Sequence, residues 1–96
     1  MRIKTYLPCQ VLSNDDLAVI FPEWSPRKIE KKIGIKNRHI SAPDETALDM
    51  AFNACQALLA DSDQDSIDFL LLCTQSPDYY LPTSACILQN RLGLKT

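Results

Sequence analysis

The sequence predicts an α/β fold, from one apolar run and two amphipathic helical patterns. Residues 67–73 form the only long apolar run, and apolar side chains at successive positions predict a central strand that is covered on both faces. Apolar residues repeat with helical spacing before the run, over 46–60, and after it, over 82–92. Helices that alternate with a buried strand are typical of α/β proteins.

The N-terminal part of the chain predicts three shorter elements. A strand is predicted over residues 2–7. Ser13 and Asp16 have the spacing of a capping box, which predicts a short helix to about residue 20, where the proline at position 22 stops it. Ser25, followed by a proline, predicts the start of another helix, and Gly34 is placed to end it.

The loop at 74–82 follows the predicted central strand and lies between two prolines. Ligands of open α/β sheets bind beyond the carboxyl ends of strands. This loop is therefore the first place where we expect a site, and its Tyr79–Tyr80–Leu81 tip is either a contact surface or loop packing.

Composition excludes several classes of protein. A chain of 96 residues forms at most one small domain, and its net charge of −2 argues against a nucleic-acid binder. No apolar run approaches the ~20 residues of a membrane span, and residues 1–12 do not resemble a signal peptide. The expected location is the cytoplasm, without membrane partners.

The cysteines and the acidic residues do not predict a metal site. Four cysteines without CxxC spacing or a paired histidine are typical of reduced cytosolic thiols. We expect Cys73 to be buried within its strand. Asp61, Asp63 and Asp65 lack the glycine and glutamate of a calcium loop, so a solvated turn is expected.

A basic segment at 27–38 is the sharpest local feature. It holds six of the ten basic residues and one acid, Glu30; the six are Arg27, Lys28, Lys31, Lys32, Lys36 and Arg38. Such a patch favours a phosphate-bearing ligand or an acidic partner, with a solvated helix face as the alternative. Trp24 precedes Lys28 by four positions, so an aromatic ring and an ammonium can meet one flat, phosphorylated ligand; otherwise Trp24 is a core or staple residue.

Two further residue types that often carry chemistry are interpreted as structural. Cys86 lies early in a helix, where a thiol pKa is lowered, but its neighbours are apolar and no histidine is near in sequence. His39 is the only histidine, and we expect it to make a local hydrogen bond.

A series of short motifs extends over nearly the whole chain: Tyr6-Leu7-Pro8, Asn14-Asp15-Asp16-Leu17, Ile33-Gly34-Ile35-Lys36-Asn37-Arg38-His39-Ile40, Asp44-Glu45-Thr46, Ile67-Asp68, Cys73-Thr74, Leu81-Pro82-Thr83-Ser84-Ala85-Cys86 and Leu92-Gly93. In their order and spacing these motifs resemble the N-terminal part of the β-ketoacyl-ACP synthase III family, which belongs to the thiolase superfamily.

The resemblance implies a thiolase-like αβαβα fold, of which residues 1–96 are an incomplete N-terminal segment. It also implies an acyltransferase that acts as a homodimer in fatty-acid or related biosynthesis. The family condenses an acyl-CoA with malonyl-ACP through a cysteine, with loss of CO₂. That cysteine is expected about a dozen residues after position 96, at a helix N-terminus. No catalytic residue is expected in this chain, which alone is expected to be inactive; no cofactor or metal is expected, because acyl-CoA and the phosphopantetheine of ACP are substrates.

The resemblance also assigns substrate-binding positions. Lys32 corresponds to an arginine that contacts CoA. Lysine keeps the positive charge but lacks the planar guanidinium group of arginine. Lys28 replaces the tryptophan that stacks on adenine, and Trp24, one turn earlier, is a possible substitute. Ile33 replaces a threonine that contacts CoA. Leu81 matches the loop residue that enters the acyl pocket of the partner subunit. Lys32, Lys36 and Arg38 also suit an acidic carrier protein.

Two interpretations of the sequence therefore stand. In the first, the chain is part of a ketoacyl-ACP-synthase-III-like acyltransferase with acyl-CoA and acyl carrier protein as partners. In the alternative, it is a non-catalytic α/β interaction module that binds an acidic partner through the basic helix at 27–38. A sharp two-state melt of a compact monomer favours the module.

Overall fold

The computed structural model describes residues 1–60 and 63–95, which form four α-helices, two short strands and one 3₁₀ turn. In chain order they are β1 (Gln10–Ser13), α1 (Asn14–Ile20), α2 (Pro26–Ile33), β2 (Asn37–Ile40), α3 (Ala47–Leu59), a 3₁₀ turn (Gln64–Ser66) and α4 (Ser84–Leu92). The described residues make two compact units. One is Leu7–Asp44, and the other joins Met1–Tyr6 to the described residues from Glu45 onward.

The unit Leu7–Asp44 is a two-stranded antiparallel sheet with helices α1 and α2 inserted between its strands. Gln10 pairs with Ile40, and Ser13 pairs with Asn37. The strand predicted over residues 2–7 is wrong, since the described structure assigns no strand there. β1 begins at Gln10 because only there does a neighbour, β2, supply hydrogen-bond partners for the ladder. β2 was not predicted from the sequence.

The predicted ends of α1 and α2 are confirmed. Ser13 caps α1: its hydroxyl accepts from the Asp16 N–H at 3.1 Å, while the Asp16 carboxylate accepts from the Ser13 N–H at 2.9 Å. Ser25 caps α2, which starts with Pro26. Gly34 ends α2 in the left-handed conformation with φ of 75°, which a side chain would strain.

The core of the second unit lies between α3 and α4. Leu48, Leu88 and Leu92 are buried there, with Leu88 only 1% exposed. Phe52, Cys55, Leu70 and Leu72 are among the partly buried residues that pack against them. The cap of α3 is Thr46, which forms a capping box with Asp49, and the carboxyl end of α4 is Gly93 with φ of 67°.

The predicted central strand at 67–73 is not part of a sheet within the described residues. Leu70 and Leu72 pack on the α3–α4 core, but Phe69 is 81% exposed and Leu71 is 82% exposed. The expected burial of Cys73 is also wrong, because its side chain is exposed. The reason is that only one side of this stretch meets other parts of the described chain, and no strand runs beside it to complete a ladder.

Candidate functional site

Helix α2 presents a basic surface to solvent, because burial of Ile29 on one side of the helix leaves its basic side chains on the exposed side. The Ser25 hydroxyl accepts from the Lys28 N–H at 3.3 Å, and Ile29 is buried on the inner side. Arg27, Lys31 and Lys32 are exposed. Lys31 and Lys32 lie in the last turn, where cations interact favourably with the helix dipole. The predicted basic patch is therefore a real surface feature of this unit.

Trp24 and Lys28, which the spacing predicts to face one ligand together, contact each other in the structure. The Lys28 ammonium lies 4.3 Å from the centroid of the indole ring, within cation–π range. The same ammonium donates to the Glu23 carbonyl oxygen at 3.3 Å. Lys28 is thus held against the ring, and a flat ligand that stacks on that face has to displace it.

Lys36 and Arg38 are engaged within the unit. The Lys36 ammonium pairs with the Glu30 carboxylate at 3.5 Å. The Arg38 guanidinium donates to the buried Asn14 side chain at 2.9 Å, and the Asn14 amide in turn donates to the Ile35 carbonyl at 2.9 Å. The basic patch therefore divides into these two engaged cations, the held Lys28, and three cations for which the described residues provide no ion-pair partner: Arg27, Lys31 and Lys32.

An apolar groove lies beside the basic surface of α2, and the sequence analysis missed it. Its volume is about 340 Å³, and it is lined by Leu17, Phe21, Trp24, Ile29, Ile33 and Arg38. The spacing of Leu17 and Phe21 is a helical one and was the available signal. Trp24 lines this groove together with Ile29, which is compatible with its interpretation as a staple residue.

The loop at 74–82 is a surface of the other unit. Tyr80 is 100% exposed and Leu81 is 81% exposed. An open groove of about 250 Å³ lies beside them, and its lining includes Leu72, Thr74 and Tyr79. The tip is an exposed apolar surface within the described chain and not loop packing, so Leu81 is available for contact with a further part of the protein or a partner.

The start of α4 has an unusual pattern of hydrogen bonds. The Thr83 hydroxyl does not cap the helix and instead donates to the Cys86 sulfur at 3.3 Å. The Ser84 hydroxyl oxygen is buried and has no hydrogen-bond partner among the described residues. Cys86 is exposed, and its described polar contact is this local one.

The remaining candidate ligands and nucleophiles do not form a cluster. His39 makes a hydrogen bond, as expected, but not a local one: its Nδ1 lies 2.6 Å from the carbonyl oxygen of Pro8, which is 31 positions earlier. All four cysteines are free, and burial raises the pKa of the Cys55 thiol. Within residues 1–60 and 63–95, no group of three or more His, Cys, Asp or Glu side chains is arranged to hold a metal ion. Asp61, which the sequence analysis considered with Asp63 and Asp65, lies outside the described residues.

None of the helices that the structure describes has the length and the apolar character needed to cross a membrane.

Comparison with known proteins identifies what the chain is similar to, although no protein-family model matches it. It is 46% identical over 93 residues to the β-ketoacyl-[acyl-carrier-protein] synthase III of Methylococcus capsulatus, covering 95% of this chain and 29% of that protein. The synthase III of Solibacter usitatus is 39% identical over 92 residues, covering 94% of this chain and 28% of that protein.

Solved structures agree with these relatives. A crystal structure of a 3-oxoacyl-(acyl-carrier-protein) synthase III matches 99% of this chain and 29% of its own, with a TM-score of 0.91 and 52% identity. The synthase III from Thermus thermophilus matches 98% of this chain and 30% of its own, with a TM-score of 0.86 and 32% identity.

The chain therefore has part of a thiolase-like α/β fold, as the sequence predicts. Within that class it is similar, over nearly all of its length, to β-ketoacyl-ACP synthase III proteins. The chain spans about 29% of the length of the curated relatives it matches.

Proposed function

We propose that this chain is the N-terminal part of a β-ketoacyl-ACP synthase III-type acyltransferase. The complete protein condenses an acyl group from acyl-CoA, or from another acyl donor, with malonyl-ACP and releases CO₂. The observation that carries the proposal is the 52% identity and TM-score of 0.91 over 99% of the chain. The resemblance implies that the nucleophilic cysteine lies outside this chain.

The chain's own contribution to this reaction is recognition of the acyl donor. Lys32 is exposed in the last turn of α2, and the described residues give its ammonium no partner. It is therefore free to bind a phosphate of CoA or of phosphopantetheine, as a point charge and not as a fork. Lys28 and Trp24 form a preassembled pair beside it.

The two engaged cations support this surface in a different way. Lys36 adds positive potential near Glu30, and the hydrogen bond from Arg38 to Asn14 fixes the loop after α2. Arg38, whose partner is a neutral amide, therefore contributes to the field that attracts an anionic donor or the acidic carrier protein, whereas the charge of Lys36 is partly offset by Glu30. Arg38 also acts as a positioning residue, because it lines the groove and is tied to a buried amide.

Leu81 is proposed to line the acyl pocket of a partner subunit in a cytoplasmic homodimer. Its exposure at the tip of the 74–82 loop supports this role, since the side chain is available to a second surface. Leu81 would then influence which acyl chain length is accepted. The reaction needs no cofactor, because acyl-CoA and the phosphopantetheine of acyl carrier protein act as substrates.

The test is a graft enzyme, defined as the Methylococcus capsulatus relative with its matching 29% replaced by this chain. We expect decarboxylating condensation of an acyl-CoA with malonyl-ACP, measured as ketoacyl-ACP formation. Replacement of the relative's nucleophilic cysteine by alanine in the same graft is the control and should abolish the activity.

A graft enzyme that folds as the relative does but condenses no tested donor would contradict the proposal. The alternative of a non-catalytic module would then be favoured. A graft enzyme that condenses an acyl donor other than acyl-CoA with malonyl-ACP would support the proposed reaction and identify a different donor.

A further inference from the structure

We propose that a cavity between α3 and α4 binds a neutral purine nucleoside. The residues that line this α3–α4 cavity include Phe52, Gln56, Leu59, Gln64, Arg91 and Leu92. None of them belongs to the proposed donor surface, carrier surface or acyl pocket. The inference therefore goes beyond the proposed condensation and adds a separate small-molecule site to the chain.

The α3–α4 cavity has the size and the wall composition of a small-molecule site. Its volume is about 500 Å³, within the range of about 300–1,000 Å³ that is common for ligand pockets. The apolar wall consists of half-buried Phe52 and Leu59 with buried Leu92. Gln56 and Gln64 are exposed and add polar groups to the same cavity. A matching ligand therefore combines an apolar surface with a few hydrogen-bonding groups.

Arg91 is held by two contacts that leave part of its guanidinium accessible. The guanidinium carbon lies 4.5 Å from the centroid of the Phe52 ring, and Nη1 donates to the Asp49 carboxylate at 2.8 Å. A planar guanidinium that covers one aromatic ring has a second face on which another flat ring stacks. Because Arg91 is exposed and lines the cavity, we expect a flat ligand to stack there with both contacts kept.

The two glutamine side chains determine which flat ligand is matched. Neither the Gln56 nor the Gln64 side-chain amide has a hydrogen-bond partner among the described residues. A primary amide both donates and accepts, and glutamine pairs in this way with the N7 acceptor and N6 donor of adenine. A phenyl ring offers no such edge, and a pyrimidine has a smaller surface for stacking. The cavity therefore favours a purine of the adenine type.

The charge around the cavity favours a nucleoside over a nucleotide. Arg91 and Lys95 are the only basic residues in 45–96, against seven acidic ones. Both are already paired with carboxylates, Arg91 with Asp49 and Lys95 with Asp65. A phosphate therefore meets net negative charge here, whereas a neutral nucleoside does not.

The experiment measures binding of tritiated adenosine by equilibrium dialysis to the full chain and, independently, to the graft enzyme. Unlabelled cytidine, which has a smaller base, and AMP, which adds a phosphate, compete for the bound adenosine. We expect adenosine to bind with a Kd below about 1 mM. Cytidine and AMP should compete at least about fivefold more weakly than unlabelled adenosine. Circular dichroism checks the fold of every variant.

A first pair of variants tests the stacking face. Arg91→Lys keeps a positive charge beside Asp49 but removes the flat guanidinium, and it should weaken adenosine binding about tenfold. Arg2→Lys makes the same change outside the cavity and should leave adenosine binding within about twofold.

A second pair tests the amides. Gln56→Ala should weaken adenosine binding about fivefold, because hydrogen bonds to the base are lost. Gln10→Ala removes an exposed glutamine of the other unit and should leave adenosine binding within about twofold. Since Gln56 is exposed on a helix, its variant keeps the test intact even if Arg91→Lys unfolds the protein.

Equal effects of the two variants of either pair, in folded proteins, would overturn the proposal. So would cytidine or AMP that competes as well as adenosine, or a folded graft enzyme that does not bind adenosine. Adenosine bound at the basic surface of α2 would respond to neither cavity variant, and that result would overturn the proposal in the same way.

Discussion

The α3–α4 pair and the α1–α2 pair use apolar side chains in opposite ways. Between α3 and α4, Leu48, Leu88 and Leu92 are buried against one another. In α2, Ile29 is the one buried residue, while Ile33 remains exposed beside the groove. Burial of apolar area stabilises a fold, and apolar area left open beside charges is available to a ligand. The core of the first pair is therefore scaffold, and the second pair is the surface on which recognition of the acyl donor is proposed.

The two pairs nevertheless start their helices by the same local device. The hydroxyls of Ser13 and Thr46 each accept from the third helical N–H, and the backbone N–H of each cap residue donates to the carboxylate of that third residue. Helix ends are thus encoded locally in both pairs, whereas the use of the helix faces depends on what packs against them.

The largest expected effect separates the scaffold from the surface. Leu88→Ala should destabilise the graft enzyme by about 2–5 kcal/mol, because it leaves a cavity in the α3–α4 core. Ile33→Ala is the matched control and should cost no more than about 0.5 kcal/mol, since its side chain is exposed. Urea unfolding measures both. Comparable losses would mean that Ile33 is covered in the complete protein.

The next expected effect concerns the proposed donor surface. Lys32→Ala should raise the KM for the acyl donor about tenfold with little change in kcat, because a ground-state phosphate contact is lost. Lys4→Ala removes the same charge from the other unit and should leave the KM within about twofold. Steady-state kinetics of the graft enzyme distinguish them, and an unchanged KM for the Lys32 variant would remove that residue from the site.

A smaller effect compares the caps of the two pairs. Thr46→Ala should cost about 1 kcal/mol, because the hydroxyl accepts from Asp49 and completes a box. Ser25→Ala should cost less than this, since its bond to Lys28 is long and no carboxylate reciprocates it. Urea midpoints of the two variants measure the difference. A greater loss for Ser25 would reverse the order of the caps.

The smallest expected effect is a dependence on pH in the α3–α4 pair. Backbone donation from Thr46, and then the Arg91 side chain, lower the pKa of Asp49 from 3.8 to about 2. Because the pKa of Asp49 is lower in the folded than in the unfolded state, its ionised carboxylate stabilises the folded state at pH values above the unfolded pKa. The contribution is lost as pH falls from about 4 through about 2. Asp49→Asn should reduce the dependence of the free energy of unfolding on pH between about 2 and about 4. An unchanged dependence on pH would contradict the lowered pKa of Asp49.

Features that depend on local chemistry were predicted well from the sequence. The starts of α1, α2 and α3 and the glycine end of α2 were all placed correctly, because a cap requires only neighbours in the chain. The α/β class and the relationship to synthase III were also correct, because an ordered series of motifs carries more information than any one of them.

Features that depend on distant partners were predicted poorly. The alternation of partly buried Leu70 and Leu72 with exposed Phe69 and Leu71 is not visible in a run that is apolar throughout. Which of the two apolar faces of this stretch is covered depends on the neighbouring parts of the protein, and the residues of the stretch itself do not specify those neighbours. The short β1–β2 ladder was missed for the same reason.

The positive charge of the candidate site was predicted from the sequence, but the groove beside it was not. The exposed basic residues of 27–38 and the closeness of Trp24 to Lys28 followed from spacing, whereas the cation–π contact between these two side chains was not predicted. The engagement of Arg38 by Asn14 joins residues 24 positions apart, and the groove joins two helices. Neither follows from the period of one segment.

The position of Trp24 gives the two units separate optical signals. It is the only tryptophan in the chain, and it lies in the unit Leu7–Asp44 beneath an ammonium. All three tyrosines, Tyr6, Tyr79 and Tyr80, belong to the other unit. Fluorescence excited at wavelengths that only tryptophan absorbs therefore reports on the unit Leu7–Asp44 alone, whereas the tyrosine absorbance reports on the other unit. The unfolding of each unit can thus be followed in one sample without a label.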